Sequence, residues 1–316
     1  MRVFHSVAEV PSGFGPSVVT IGNFDGVHQG HHEIMRRVVE IGRERGLTST
    51  VLTFDPHPAR ILAPDRAPKL IMTIPQRLRR LENEGIEAAL VFPFSPDFAK
   101  LSPEEFVVRI LAGVLKARCV LVGEDFRFGF RQAGNIDTLR TLGQAHGFDL
   151  QPIPAITRGG ERISSTRIRN LVVNGRVSKA CRMMGSPYSL EGSVVSGQGI
   201  GSKKTVPTLN LAAENELLPK TGVYATRTRD ENSGAEWRSI TNVGYRPTFD
   251  GQALTVETFL LDPPPPEPPR RIEIAFLAFV RLEKKFEDAG ALKAQILRDA
   301  AAVQRFHRRV SRLRVG

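Results

Sequence analysis

The sequence predicts two fused domains: an α/β domain built on a parallel sheet, then an antiparallel β domain closed by a terminal helix. Three observations predict this. The chain has 316 residues, enough for about two domains of ordinary size. Its first half alternates short apolar runs with segments of helical spacing, the rhythm of a sheet with helices on its faces. Near Gly185-Ser186-Pro187 the texture changes to short extended segments separated by turn residues. That change places the domains at residues 1–185 and 186–316.

In the first half, Ser17–Gly22 is a short apolar run, Glu33–Arg45 has helical spacing through Ile34, Val38 and Ile41, and Thr48–Phe54 is again strand-like. Pro75–Glu84 reads as helix, Ala88–Phe92 as strand, Pro103–Leu115 as helix, Cys119–Val122 as strand and Asn135–His146 as helix. Ligands of such sheets bind beyond the carboxyl ends of the strands. In the second half, Ser189–Ser196, Gly222–Arg229, Trp237–Val243, Leu254–Leu261 and Arg271–Leu282 are the extended segments, suggesting an antiparallel barrel or sandwich. Pro263–Pro269, six prolines and one glutamate, cannot join a sheet ladder and reads as a stiff loop between two strands. A helix over Ala289–Arg309 closes the chain.

Composition narrows the classes. Hydrophobic residues make up 41% and charged residues 24%, which excludes global disorder. No apolar run approaches the ~20 residues that span a bilayer, and the first residues lack the apolar region of a secretion signal. Cys119 and Cys181 alone make neither a disulfide framework nor a thiolate zinc site. The expectation is a soluble cytoplasmic protein without membrane contact. The net charge of +11 attracts anions, but Arg305, Arg308, Arg309, Arg312 and Arg314 crowd one end, the pattern of a solvated helix face. Without an aromatic-studded basic strand, nucleic acid is not expected as a partner.

The first chemical constellation is Thr20-Ile21-Gly22-Asn23-Phe24-Asp25-Gly26-Val27-His28-Gln29-Gly30-His31, which leads from the first strand into the first helix. Gly22, Gly26 and Gly30 allow close ligand approach, and a helix N-terminus offers free N–H groups to a phosphate. His28 and His31, one turn apart, can face the same anion and stabilise charge developing on a phosphoryl group. A structural turn is the plainer alternative. A zinc-protease helix is excluded, because Arg36 stands where His32-Glu33 would need a second His.

Phe24-Asp25-Gly26-Val27-His28-Gln29-Gly30-His31 resembles the HxGH signature of the nucleotidylyltransferase superfamily. Ile163-Ser164-Ser165-Thr166-Arg167-Ile168-Arg169 resembles its second signature, whose hydroxyls and guanidinium groups suit a polyphosphate. Thr53-Phe54-Asp55-Pro56-His57-Pro58 and Gly123-Glu124-Asp125-Phe126-Arg127-Phe128-Gly129 resemble segments of the prokaryotic bifunctional riboflavin kinase/FAD synthetase family. The resemblance implies a Rossmann-like nucleotidylyltransferase domain that transfers AMP from ATP to FMN, giving FAD. His28 and His31 would then steady the α-phosphate. Nucleotide contacts would come from Gly22, Phe24, Asp25, Gly26, Asp125, Arg127, Ser164, Ser165, Thr166 and Arg167.

In the second half, Gly197-Gln198-Gly199-Ile200-Gly201 is not a dinucleotide fingerprint, since Pro207 follows and no helix opens there. Local chemistry leaves a glycine-rich turn and, with Lys203 and Lys204 beside it, a phosphate loop both open. Thr208 and Asn210, two apart on an extended chain, point the same way and can share one magnesium ion. A turn pair is the plain alternative. Glu257 shares a strand face with Thr255, Phe259 and Leu261 by alternation, an unusual place for a carboxylate; a strand glutamate at a rim is its plain reading.

Pro207-Thr208-Leu209-Asn210-Leu211 resembles the PTxN motif of riboflavin kinase. Gly222–Ala225, Asn242–Phe249, Leu254–Leu261 and Phe279–Phe286 complete the likeness, which spans nearly the whole chain. It implies a C-terminal antiparallel β-barrel that phosphorylates riboflavin to FMN with ATP. Thr208 and Asn210 would hold Mg2+, Glu257 would act as general base, and Gly197, Gly199, Gly201, Lys203 and Asn242 would contact the nucleotide. The competing readings are nucleotidyl transfer to another acceptor and a basic nucleic-acid binder on a degenerate nucleotide fold.

Overall fold

The computed structural model describes residues 1–195, 208–248, 251–263, 265–284 and 286–313. Contacts divide the chain into two units, Met1–Ser165 and Thr166–Gly316.

The first unit carries six parallel strands: β1 (Arg2–Phe4), β2 (Ser17–Ile21), β3 (Thr48–Asp55), β4 (Ala88–Pro93), β5 (Ala117–Gly123) and β6 (Asp149–Ile153), in the order β1-β4-β3-β2-β5-β6. Helices α1 (Gln29–Arg45), α2 (Pro58–Leu62), α3 (Ile74–Asn83), α4 (Pro103–Phe106) and α5 (Ile136–His146) connect them. The helix expected over 103–115 is α4 running into a π-helical stretch, Val107–Val114. All five residues of β2 are buried, as expected for a central strand covered on both faces. One core gathers Val19, Ile21, Leu52, Leu90, Val120 and Val122 from the sheet against Phe106, Leu111 and Leu115. Because β2 has β3 on one side and β5 on the other, its carboxyl end is the point where the strand order reverses. Such a crevice is where open α/β sheets bind ligands. A two-stranded hairpin, β7 (Thr157–Arg158) and β8 (Glu161–Arg162), follows the sheet.

Helix α6 (Ser165–Val173), which starts at the last residue of the first unit, and α7 (Val177–Met184) precede the closed six-strand barrel of the second unit. Its strands are β9 (Tyr188–Val195), β10 (Thr208–Ala213), β11 (Gly222–Asp230), β12 (Glu236–Thr248), β13 (Gly251–Leu260) and β14 (Arg271–Arg281), all antiparallel in the order β10-β13-β12-β11-β14-β9. The barrel reading thus holds over the sandwich. The proline run lies between β13 and β14 as expected.

Two groups of side chains fill the barrel interior. Tyr188, Tyr224 and Phe276 pack at one level. Thr226, Thr228, Ser239, Thr241 and Thr258, all fully buried, bond to one another through hydroxyls at 2.8–3.3 Å. A buried hydroxyl is costly unless paired, and here each finds a partner.

Helix α8 (Ala289–Leu313) covers part of the outer wall. Val303 and Phe306 pack against Val223, Ala225, Ile240 and Phe259. Arg281, at the end of β14, grips Asp299 of α8 through Nε and Nη2 at 3.0 and 2.7 Å. His307 Nε2 donates to the Thr226 carbonyl at 3.1 Å, beside the irregularity in the β11–β14 ladder. Arg305, Arg308 and Arg309 lie exposed on the opposite face of α8, the solvated face expected from the charge run.

Candidate active sites

The first site is the loop between β2 and α1. Phe24 and Val27 adopt positive φ (48° and 31°), as does Gly26 (86°), so the chain turns sharply here at a real cost in backbone strain. Two contacts hold the turn. The Asp25 carboxylate, almost fully buried, accepts hydrogen bonds from the amides of Ile71 and Met72 at 3.0–3.1 Å. A side chain at position 26 would collide with Ile71 at 2.9 Å, so glycine is required there for space as well as conformation.

His28 and His31 then cap α1 reciprocally. His28 Nδ1 accepts from the His31 amide and His31 Nδ1 from the His28 amide, each at 3.3 Å. The rings stack at 3.6 Å with planes 10° apart, and Phe24 flanks His31 at 5.1 Å. With both Nδ1 atoms accepting, each neutral ring carries its proton on Nε2. Burial holds the His28 imidazole down at about 4. Burial lowers His31 as well, helped by His28, His32 and Arg77. At neutral pH the pair is therefore two uncharged N–H donors on one helix terminus, an arrangement able to donate to a phosphoryl oxygen.

Within the first unit, Ser165 Oγ of the second signature donates to the Asp25 carbonyl at 2.7 Å, which ties that residue to the strained turn. Ser164 stands just before Ser165, and Thr166 and Arg167, which open the second unit, follow on the first turn of α6. Asp125, exposed in the loop after β5, pairs with Arg162 of β8 at 2.5 Å, and Arg127 is exposed in the same loop.

Sequence reasoning passed over Arg77. It is one of the most deeply buried side chains in the chain, and its Nη1 donates to Thr53 Oγ1 at 3.2 Å and to the Phe54 carbonyl at 3.4 Å. Thr53 Oγ1 in turn donates to the Asn23 carbonyl at 3.3 Å, so a buried cation braces the end of β3 against the histidine loop. The signal was present: an arginine on the apolar stripe of a helix, between Ile74 and Leu81. Thr20 Oγ1 and Asn23 Oδ1 are buried nearby without a hydrogen-bond partner among the described residues.

The second site lies on the outer wall of the barrel. Asn210 of β10 pairs with Glu257 of β13, and Glu257 pairs with Asn242 of β12. Directly paired residues share a face, so an amide, a carboxylate and an amide form one row across three strands. Thr208 pairs with Phe259, one step along the same face. Glu257, Asn210 and Asn242 are half-buried and Thr208 is exposed. Gly197, Gly199, Gly201 and Lys203 lie outside the described residues. The register thus unites four of the expected site residues; Asn242, read as a nucleotide contact, stands directly beside Glu257.

Comparison with known proteins follows this division. Residues 11–167 match the FAD synthetase family and residues 184–307 the riboflavin kinase family. The bifunctional riboflavin kinase/FMN adenylyltransferase of Escherichia coli K12 is 33% identical over 306 residues, 97% of each chain. The chain belongs to the bifunctional riboflavin kinase/FMN adenylyltransferase family. The Pseudomonas fluorescens member is 34% identical over 91% of this chain and 92% of its own. A solved structure named as a macrolide-efflux protein of Streptococcus pneumoniae superposes with a TM-score of 0.85 at 26% identity, over 96% of this chain and 98% of that one. That name describes the other protein; among the described residues of this family member, no helix is long and apolar enough to cross a membrane.

The histidine pair gives a direct prediction for this family member. With a folded value near 4 against 6.5 unfolded, His28 takes up its proton more readily in the unfolded chain. Its contribution to stability is full above pH 6.5 and declines as pH falls toward 4. An NMR titration of the ring in the free protein should show a midpoint near 4. A midpoint near 6.5 would mean that the imidazole is solvated and that the donor pair is misread.

Proposed function

We infer that this protein makes FAD from riboflavin in two ATP-dependent steps, one on each domain. The observation that carries the reading is the coexistence of a neutral, stacked histidine pair at a sheet's switch point with the Asn210–Glu257–Asn242 row on a separate barrel. Residues 1–185 are assigned the adenylyl transfer and residues 186–316 the phosphorylation, in the cytoplasm.

In the kinase step the ribityl hydroxyl of riboflavin attacks the γ-phosphorus of ATP, the bond to ADP breaks, and Glu257 accepts the hydroxyl proton. Thr208 and Asn210 present a hydroxyl and an amide carbonyl on one face, beside the Glu257 carboxylate. These hard oxygen donors fit Mg2+, which keeps several waters and needs few protein ligands. When bound there, the ion would neutralise charge on the phosphates.

In the adenylyl step a phosphate oxygen of FMN attacks the α-phosphorus of a second ATP and pyrophosphate leaves. The nucleophile is already anionic, so no base is required. His28 and His31 donate through Nε2–H to the α-phosphoryl oxygens as negative charge builds. Ser164, Ser165, Thr166 and Arg167 grip the departing pyrophosphate. Asp25, with its carboxylate bonded to the loop amides, acts by holding the histidine turn. Positioning and charge stabilisation suffice, without a covalent intermediate.

The test is a time course of purified protein with riboflavin, ATP and magnesium, with the flavins separated by chromatography. FMN appearing first and FAD after it is the expected result. Riboflavin left untouched while added FMN becomes FAD would remove the kinase half. If neither flavin changes, the acceptor is a different molecule.

A further inference from the structure

The row on the barrel wall has a neighbour that the motif reading did not use. On β12, Gly244 lies two residues from Asn242 and pairs with Thr255, just as Asn242 pairs with Glu257. Gly244, Asn242, Thr255 and Glu257 therefore form one patch on the outer face. The carboxylate of Glu283, from the segment after β14, lies over Gly244. A methyl group built on Gly244 would overlap Glu283 Oε1 and stand 3.1 Å from Asn242 Nδ2. Gly244 is absent from the glycines with positive φ, so the need for glycine there is spatial: it leaves a notch that the Glu283 carboxylate fills beside the Asn242 amide.

The segment carrying Glu283 is anchored. Arg281 holds Asp299 of α8, donates through Nη1 to the Leu282 carbonyl at 2.9 Å, and stands 5.9 Å from the Phe286 ring centre. The peptide just before Glu283 is thus tied to a guanidinium that is itself tied to α8.

We propose that Glu283 is a further substrate-binding residue of the kinase site, its carboxylate accepting a hydrogen bond from the ribityl chain of riboflavin; this rests on the kinase reading above. Direction along the wall decides which substrate it meets. Thr208 lies on one side of the Glu257 row, opposite Phe259, whereas Gly244 lies on the other, opposite Thr255. The oxygen donors suited to a metal–triphosphate are on the Thr208 side. A second carboxylate among those phosphates would repel them. On the Gly244 side it faces the acceptor, a neutral polyol whose hydroxyls both donate and accept. Glu283 takes a proton-donating hydroxyl and Asn242 Nδ2 offers the reverse bond. Glu257 stands between the two, where the reacting hydroxyl and γ-phosphate must meet.

The test uses the full-length protein and steady-state kinetics of FMN formation. Glu283→Gln should raise the KM for riboflavin about tenfold, because the neutral amide oxygen still accepts the bond but without the charge that strengthens it, and leave the KM for ATP and the melting temperature unchanged. Gly244→Ala should raise the riboflavin KM too, by displacing the carboxylate. Added to Glu283→Ala it should cost nothing further, because two changes acting through one contact are not additive. An unchanged riboflavin KM in Glu283→Gln, a rise confined to the KM for ATP, or full additivity of the two alanines would overturn the proposal. Should Gly244→Ala fail to fold, Glu283→Gln decides alone. If the wild-type protein forms no FMN, the kinase reading fails first, and the two failures are told apart.

Discussion

Glu257→Ala will lower FMN formation from riboflavin by about two to four orders of magnitude, the range contributed by a positioned general base, while conversion of added FMN to FAD continues at the wild-type rate. The size of the effect follows from the wall it sits on. Glu257 is flanked by Asn210 and Asn242 in the row, and neither amide can accept a proton from a hydroxyl nucleophile. Glu257→Gln should be as damaging as alanine, since it keeps the shape and hydrogen bonding but not the basicity. Both rates are read from one chromatographic time course. Kinase activity above about a tenth of wild type would be too much for a missing base and would remove the role. Loss of both activities would show that the two units do not work separately.

His31→Ala will stall the product at FMN, with kcat for adenylyl transfer down by about a hundred- to a thousandfold, as for the loss of one preorganised donor. The KM for FMN should move far less, because the donor acts on charge that develops only as the reaction proceeds. The substitution also removes the acceptor for the His28 amide and the stacking partner of its ring. Stability should therefore fall by about 1 kcal/mol, typical of a lost cap. His31→Asn separates the effects: it can still cap but cannot supply the same Nε2–H donor. Melting restored by Asn while FAD formation stays low is the expected pattern. FAD output returning along with stability would reduce His31 to a capping residue.

Much of this was legible where the cause is local. Ser17–Gly22 could be read as a strand because it is a short apolar run, and the His28/His31 spacing marks one helical turn. The placement of Glu257 with Thr255 and Phe259 follows from strand alternation alone. What the sequence could not show is pairing between distant segments. That Asn210, Glu257 and Asn242 stand in one row depends on the register of three strands. That Asp25 is committed to the amides of Ile71 and Met72 depends on a loop far along the chain. β1, three residues long, is too short to show any periodicity. Arg77 escaped because a buried cation looks like a surface one until its neighbours are known.

The helices between the two chemistries bear on how this chain can be taken apart. Texture changes at Gly185, yet contacts divide the chain between Ser165 and Thr166. α7 packs on β9 and β14, burying Val177, Ala180 and Met184, and Ser178 Oγ donates to the Leu277 carbonyl at 2.7 Å. A gene split placed at the visible change of texture would strip that helix from the kinase and bare an apolar strip on its barrel. A split at the contact boundary would instead fall between Ser165 and Thr166, through the Ser-Ser-Thr-Arg string that resembles a nucleotidylyltransferase signature. Neither of these two cuts spares both the packed helix and the string, so the stretch holding α6 and α7 belongs cleanly to neither half.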